Sequence, residues 1–343
     1  MANTSPEPGV PAYGTQELAF QPPGFQPPAP TARGGGIVLL RTFGVLLAVG
    51  ILLAGTASVV IHLLRQSRTT TTTVPGQVTR LVADTGTGDI RIKAGEPGAP
   101  TTVTRKIQWV FSEPSVTVQE RSGVLTLGAS CPRNGFSSCN TDFTVTVPAG
   151  TALDVTTGTG EVSTSGISGA VSVTTGVGDI SLAESSSTNV LVKTGTGEVT
   201  LSGDRPPSAP APGSAEPAGG TVSVETGPGD VVLTDVAASN VKVRTGGGQV
   251  TVSGGTPGGR VEARSGVGDV KIELRETPAG VTVHTGAGEI DVIVPTGTSY
   301  AVDTHSGTGE TAVDVRQDDA APRKIILDSG VGDITVRARA ATG

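Results

Sequence analysis

One five-residue pattern, Thr or Ser followed by Gly-x-Gly and an acid, constrains this chain more than any other feature. It occurs at Thr85–Asp89, Thr157–Glu161, Thr175–Asp179, Thr194–Glu198, Thr226–Asp230, Thr245–Gln249, Ser265–Asp269, Thr285–Glu289, Ser306–Glu310 and Ser329–Asp333. The paired glycines are Gly86 and Gly88, Gly158 and Gly160, Gly176 and Gly178, Gly195 and Gly197, and Gly227 and Gly229. They continue as Gly246 and Gly248, Gly266 and Gly268, Gly286 and Gly288, Gly307 and Gly309, and Gly330 and Gly332. Most copies lie near 20 residues apart, the signature of a stacked repeat. Two glycines around one free residue allow the backbone a sharp corner. The hydroxyl before them is expected to bond a backbone group freed at that corner.

Apolar residues alternate on both sides of each corner, as in Val190 and Val192 before it and Val199 and Leu201 after it. A period of two reads as strands with one buried face. Strand, corner, strand and return, repeated, predict an all-β, single-stranded solenoid of about ten short coils, each covering the next. A sandwich of hairpins is the competing all-β reading, but it gives no reason for the same residue types to recur at ten corners. With aromatics at 3% and Gly at 50 residues, a core must be built from Val, Ile and Thr, which also favours strands.

The chain divides around this array. Residues 1–36 are rich in Pro and Gly and read as a disordered tail. Residues 42–64 hold no formally charged side chain, and the segment 37–65 is expected to be a single transmembrane helix. A cleaved signal peptide is the rival, weighed down by the long leading tail. Thr69–Thr73 lie in an expected stalk over 66–77, and the array occupies 78–339. Degenerate coils over about 94–153 are expected to cap the membrane-proximal end, and 203–220 to form a flexible Pro-rich loop. Cys131 and Cys139, the only cysteines, enclose seven residues. A disulfide between them fits an oxidising compartment, with two free thiols as the alternative. Arginines balance across the apolar span, so the expected orientation, array outside and tail inside, rests on the cysteines and the threonine run.

The repeats Thr-Gly-x-Gly-[Asp/Glu]-[Val/Ile]-x-[Val/Leu] and the lead-in Val-x-Val-Pro-x-Gly-Thr, at 145–151 and 292–298, resemble the bacterial “putative adhesin” β-strand-repeat family of unknown function. The resemblance covers about residues 78–339. It implies a β-solenoid on a bacterial cell surface, often behind one membrane anchor, and no catalytic residues.

A net charge of −7 speaks against nucleic acid. The acids form one column: Asp89, Glu161, Asp179, Glu198, Asp230, Asp269, Glu289, Glu310 and Asp333. Ca²⁺ is one remedy for their repulsion, but free exchange of Asp for Glu and the break at Gln249 argue against it. His284 and His305 are expected one above the other, a metal-site geometry in principle, but without an evident third ligand. No catalytic, cofactor or metal residue is therefore expected. The expected function is a non-enzymatic, membrane-anchored adhesin or scaffold for protein or glycan partners in the envelope. A sensor with a signalling tail is the alternative, and a carbohydrate-active enzyme is the weaker one.

Overall fold

The computed structural model describes residues 65–339, apart from 133–137, 188, 204–219, 237 and 255–258, together with five helical residues between 44 and 51. Residues 1–60 and 61–343 form separate units. Among the described residues no helix is long and apolar enough to cross a membrane. The tail, nearly all of the expected membrane span and the Pro-rich loop lie outside the described residues.

The second unit is all-β, and each Gly-x-Gly corner joins a strand of one sheet to a strand of the other. The ten strand pairs, taken as coils one to ten, are Arg80–Thr87 with Ile90–Ala94, Ala152–Thr159 with Val162–Ser165, Val171–Val177 with Ile180–Ser185, Asn189–Thr196 with Val199–Gly203, and Thr221–Pro228 with Val231–Thr234; then Asn240–Gly247 with Val250–Gly254, Arg260–Val267 with Val270–Leu274, Gly280–Ala287 with Ile290–Val294, Ala301–Ser306 with Thr311–Asp314, and Lys324–Val331 with Ile334–Ala338. Strands before the corner lie in a 12-stranded leading sheet, and strands after it in a 13-stranded trailing sheet. Pairing between coils is parallel and in register, as in Val190↔Val222 and Val199↔Val231. The parallel ladder is solenoid-like and removes the hairpin sandwich, whose neighbours would run antiparallel.

Period two decides what each strand buries. Val241, Val243, Val250 and Val252 of coil six are at most 4% exposed, and their counterparts in the coils other than coil nine join them in one continuous core from Val74 to Val336. Neither strand of a coil can bury that face alone. Burial of a Val contributes about 1.5–3 kcal/mol, and here it comes only from stacking.

Three arrangements differ from the expectation. The threonine run is not a stalk: Gln66–Val74 is a strand, paired antiparallel along its length with Thr101–Val110, from Gln66↔Trp109 to Val74↔Thr101. β-Branched threonines suit a strand that is exposed on its outer side. The segment expected as degenerate coils holds one such coil. Val124–Ser130 runs parallel to the leading strand of coil one, and Ser138–Val147 parallel to its trailing strand. Ser115–Arg121 and Thr101–Val110 then add antiparallel to these two. Finally, the last two coils are exchanged in space. Coil ten pairs with coil eight on one side and coil nine on the other, so coil nine ends both sheets. The terminal coil is the less buried one, with Val302 and Val313 only partly covered.

Candidate functional site

The corners line up along one edge of the array, where the sequence signal is strongest. Both glycines are required, for different reasons. The second has positive φ, +151° at Gly197, where an L side chain is strained. A Cβ there would also come within 3.0 Å of the Gly178 carbonyl oxygen. The first glycine does not need positive φ. A Cβ on Gly195 would instead strike the Gly176 carbonyl of the coil beneath it, again under 3.0 Å. Except at Gly86 and Gly246, the first glycines are thus stacked backbone on backbone, with no room for a side chain between them.

The hydroxyl before the glycines bridges coils. Thr194 Oγ1 donates to the Gly178 carbonyl at 3.1 Å, Thr285 to that of Gly268 at 3.0 Å, and Ser329 to that of Gly288 at 3.0 Å. Nine of the ten hydroxyl residues are buried; Ser306 of the terminal coil is half-buried and donates to the Gly332 carbonyl at 2.9 Å. The hydroxyl expectation therefore holds, with the acceptor in the neighbouring coil rather than within its own corner.

The acid column carries a rule that the sequence order hides. In spatial order it reads Asp89, Glu161, Asp179, Glu198, Asp230, Gln249, Asp269, Glu289, Asp333, Glu310. Asp alternates strictly with Glu or Gln. Each Asp accepts the backbone N–H of the next residue in the column. The distances are 3.1 Å from Glu161 to Asp89, 2.8 Å from Glu198 to Asp179 and 2.7 Å from Gln249 to Asp230. Glu289 to Asp269 is 2.9 Å and Glu310 to Asp333 is 2.8 Å. Among the described residues no Glu of the column returns such a bond. The structural unit is therefore two coils, clamped by one carboxylate. Replacing Asp230 with Ala is expected to cost about 1 kcal/mol, the low end for a charged hydrogen bond because the site is exposed. Replacing Glu198 with Ala should leave the denaturation midpoint unchanged. Urea unfolding of both variants checks the contrast.

Among the described residues no group of three His, Cys, Asp or Glu is placed to hold an ion. His284 and His305 do not stack: Asp328 of coil ten lies between them, paired with both, and its carboxylate is 3.7 Å from His284 Nδ1. Cys131 and Cys139 are bonded, with Cα atoms 5.9 Å apart. This bridge stands where the degenerate coil lacks a glycine corner, joining the ends of its two strands. Asp142 of the same coil accepts the Asp89 N–H at 3.2 Å and so extends the acid column.

The two outward faces differ. On the leading sheet, charges pair between coils: Lys193 with Glu225 at 3.0 Å and Lys242 with Glu262 at 3.6 Å. The hydrogen bond and the charge of Lys193 hold the Glu225 carboxyl below its ordinary range. On the trailing sheet, coils two to six present Ser163, Ser181, Thr200, Thr251 and their neighbours Ser165, Ser202, Thr234 and Ser253, broken only by Ala183 and Val232. A concavity of about 680 Å³ lies among loops at the capped end, walled by Val74, Pro75, Pro97, Pro100 and Pro148. It holds no acid–base pair.

A family model matches residues 78–341, the stretch that holds all ten corners. The chain belongs to the Toastrack DUF4097 family. No curated protein matches this Toastrack chain. Among solved structures it is similar to a “putative adhesin” from Parabacteroides distasonis, 10% identical, covering 79% of this chain and 97% of that one with a TM-score of 0.38. A second, also titled “putative adhesin”, comes from Bacteroides fragilis, at 15% identity, 79% and 97% coverage and a TM-score of 0.31. A “putative cell adhesion protein” from Clostridium sporogenes is 12% identical, with 80% and 100% coverage and a TM-score of 0.28.

Proposed function

We propose that this Toastrack chain is a non-enzymatic surface scaffold, an adhesin in the broad sense, held to a bacterial membrane by the apolar segment at 37–65. The observation that carries this reading is the pair of unlike outward faces, each built from the same few positions repeated coil after coil. A face of this kind offers many similar weak contacts in fixed register, so affinity comes from their number. The alternating ion pairs of one sheet suit charged partners, and the hydroxyl rows of the other suit polar ones such as glycans. No cofactor enters this reading. The Cys131–Cys139 bridge supports a place outside the cytoplasm, because such bonds persist in oxidising compartments.

Protease shaving of intact cells, probed with an antibody to the C-terminal half, tests the placement. The epitope is expected to disappear from intact cells. If it survives shaving and is lost only after lysis, the array faces the cytoplasm and the surface reading fails.

A further inference from the structure

The two ends of the array are not equivalent. At one end the degenerate coil and antiparallel strands cover the core. At the other, coil nine ends both sheets: the leading strand is met on its outer side only at Tyr300, which donates to the Arg316 carbonyl and accepts from the Asp318 N–H, and no strand among the described residues lies outside Thr311–Asp314. Inside the array, the N–H of each second glycine donates to a carbonyl of the next coil, as Gly288 does to Val331 and Gly332 to Thr308. The amide after each acid does the same, as Ile290 does to Asp333 and Ile334 to Glu310. At coil nine both series stop: Gly309 and Thr311 have no such acceptor among the described residues. Val302 and Val313 beside them are only partly covered. The rim is acidic. Asp303, Glu310, Asp314, Asp318 and Asp319 are exposed there, against the exposed Arg316 and the half-buried Arg323.

We infer that this end is a docking edge for an extended, basic segment of a partner protein, which adds one strand beside Thr311–Asp314. Its carbonyls would accept from Gly309 and Thr311, its apolar residues would complete the cover over Val302 and Val313, and its lysines or arginines would meet the carboxylate rim. Strand addition to an open edge draws affinity from the main chain and selectivity from alternate side chains. A second copy of this chain fits less well, since it would bring the same acidic rim against itself. The inference goes beyond the surface reading and does not depend on it, because the edge is present whichever compartment the array faces.

The test uses the purified full-length chain and three labelled seven-residue peptides. One alternates Lys and Val, one alternates Glu and Val, and one has the composition of the first with its valines in a single block. Fluorescence anisotropy should show saturable binding of the Lys-Val peptide, roughly tenfold tighter than the Glu-Val one, since charge complementarity selects partners. The block peptide should bind at least about fivefold more weakly, because its side chains do not alternate between faces. Amide exchange at Gly309 and Thr311 should slow on binding. Thr311→Pro removes one donor and is tolerated on an edge strand; it should weaken binding about fivefold. Asp314→Asn, which leaves the backbone intact, should weaken it about threefold. Equal affinity for the three peptides, or unchanged exchange at Gly309 and Thr311, would overturn the inference. Concentration-dependent dimerisation with slowed exchange at those two amides would overturn it in favour of a second copy.

Discussion

Gly195→Ala is expected to destabilise the array by about 3 kcal/mol or more, whereas Gly86→Ala, at the same place in the repeat, should cost less than about 1 kcal/mol. The two positions share their local sequence, Thr-Gly-Thr-Gly, and neither has positive φ. What differs is the neighbour. A Cβ at Gly195 would lie under 3.0 Å from the Gly176 carbonyl, while one at Gly86, in the first coil, meets nothing within 4 Å. Gly246 falls between, with 3.3 Å to the Gly227 carbonyl, and Gly246→Ala should be intermediate. Thermal or urea unfolding of the three variants separates stacking from turn geometry. If the need for glycine lay in the corner itself, all three would lose stability alike.

That contrast marks how far the amino-acid sequence could be read. Alternating valines such as Val241, Val243, Val250 and Val252 determine which face of each strand is buried, so the parallel array and its core were legible. The corner was legible as a corner, but the first glycine's role was not, because its obstacle is a carbonyl some 20 residues away in the chain. The run Thr69–Thr73 looks like a stalk in isolation, since nothing in it signals a partner. Its pairing with Thr101–Val110 is a long-range fact, written only in the matching threonines Thr71 and Thr104, whose hydroxyls meet at 2.9 Å. The disulfide could be proposed from two cysteines in an otherwise cysteine-free chain. Its role as a substitute for a glycine corner became visible only when the flanking strands were seen to run parallel to coil one.

Leu327→Asp is expected to cost about 4 kcal/mol or more, and Val302→Asp only about 1 kcal/mol. In chain order the tenth coil is the last and should tolerate change, while the ninth is interior; the structure reverses them. Leu327 is 1% exposed between coils eight and nine, so an aspartate there would be a buried, unpaired charge. Val302 is only partly covered at the open end, and an aspartate can turn to water. The exchange leaves a trace in the sequence. Read in chain order, Asp alternates with Glu or Gln along the corners until Glu289, Glu310 and Asp333, where the alternation fails. Placing coil ten before coil nine restores it, because Asp333 then accepts the Glu310 N–H at 2.8 Å as every earlier Asp does for its neighbour. A carboxylate one methylene shorter, repeated every second coil, thus records the spatial order of coils that the chain visits out of turn. Denaturation of the two aspartate variants decides the point: near-equal midpoints, or the larger loss at Val302, would return coil nine to the interior.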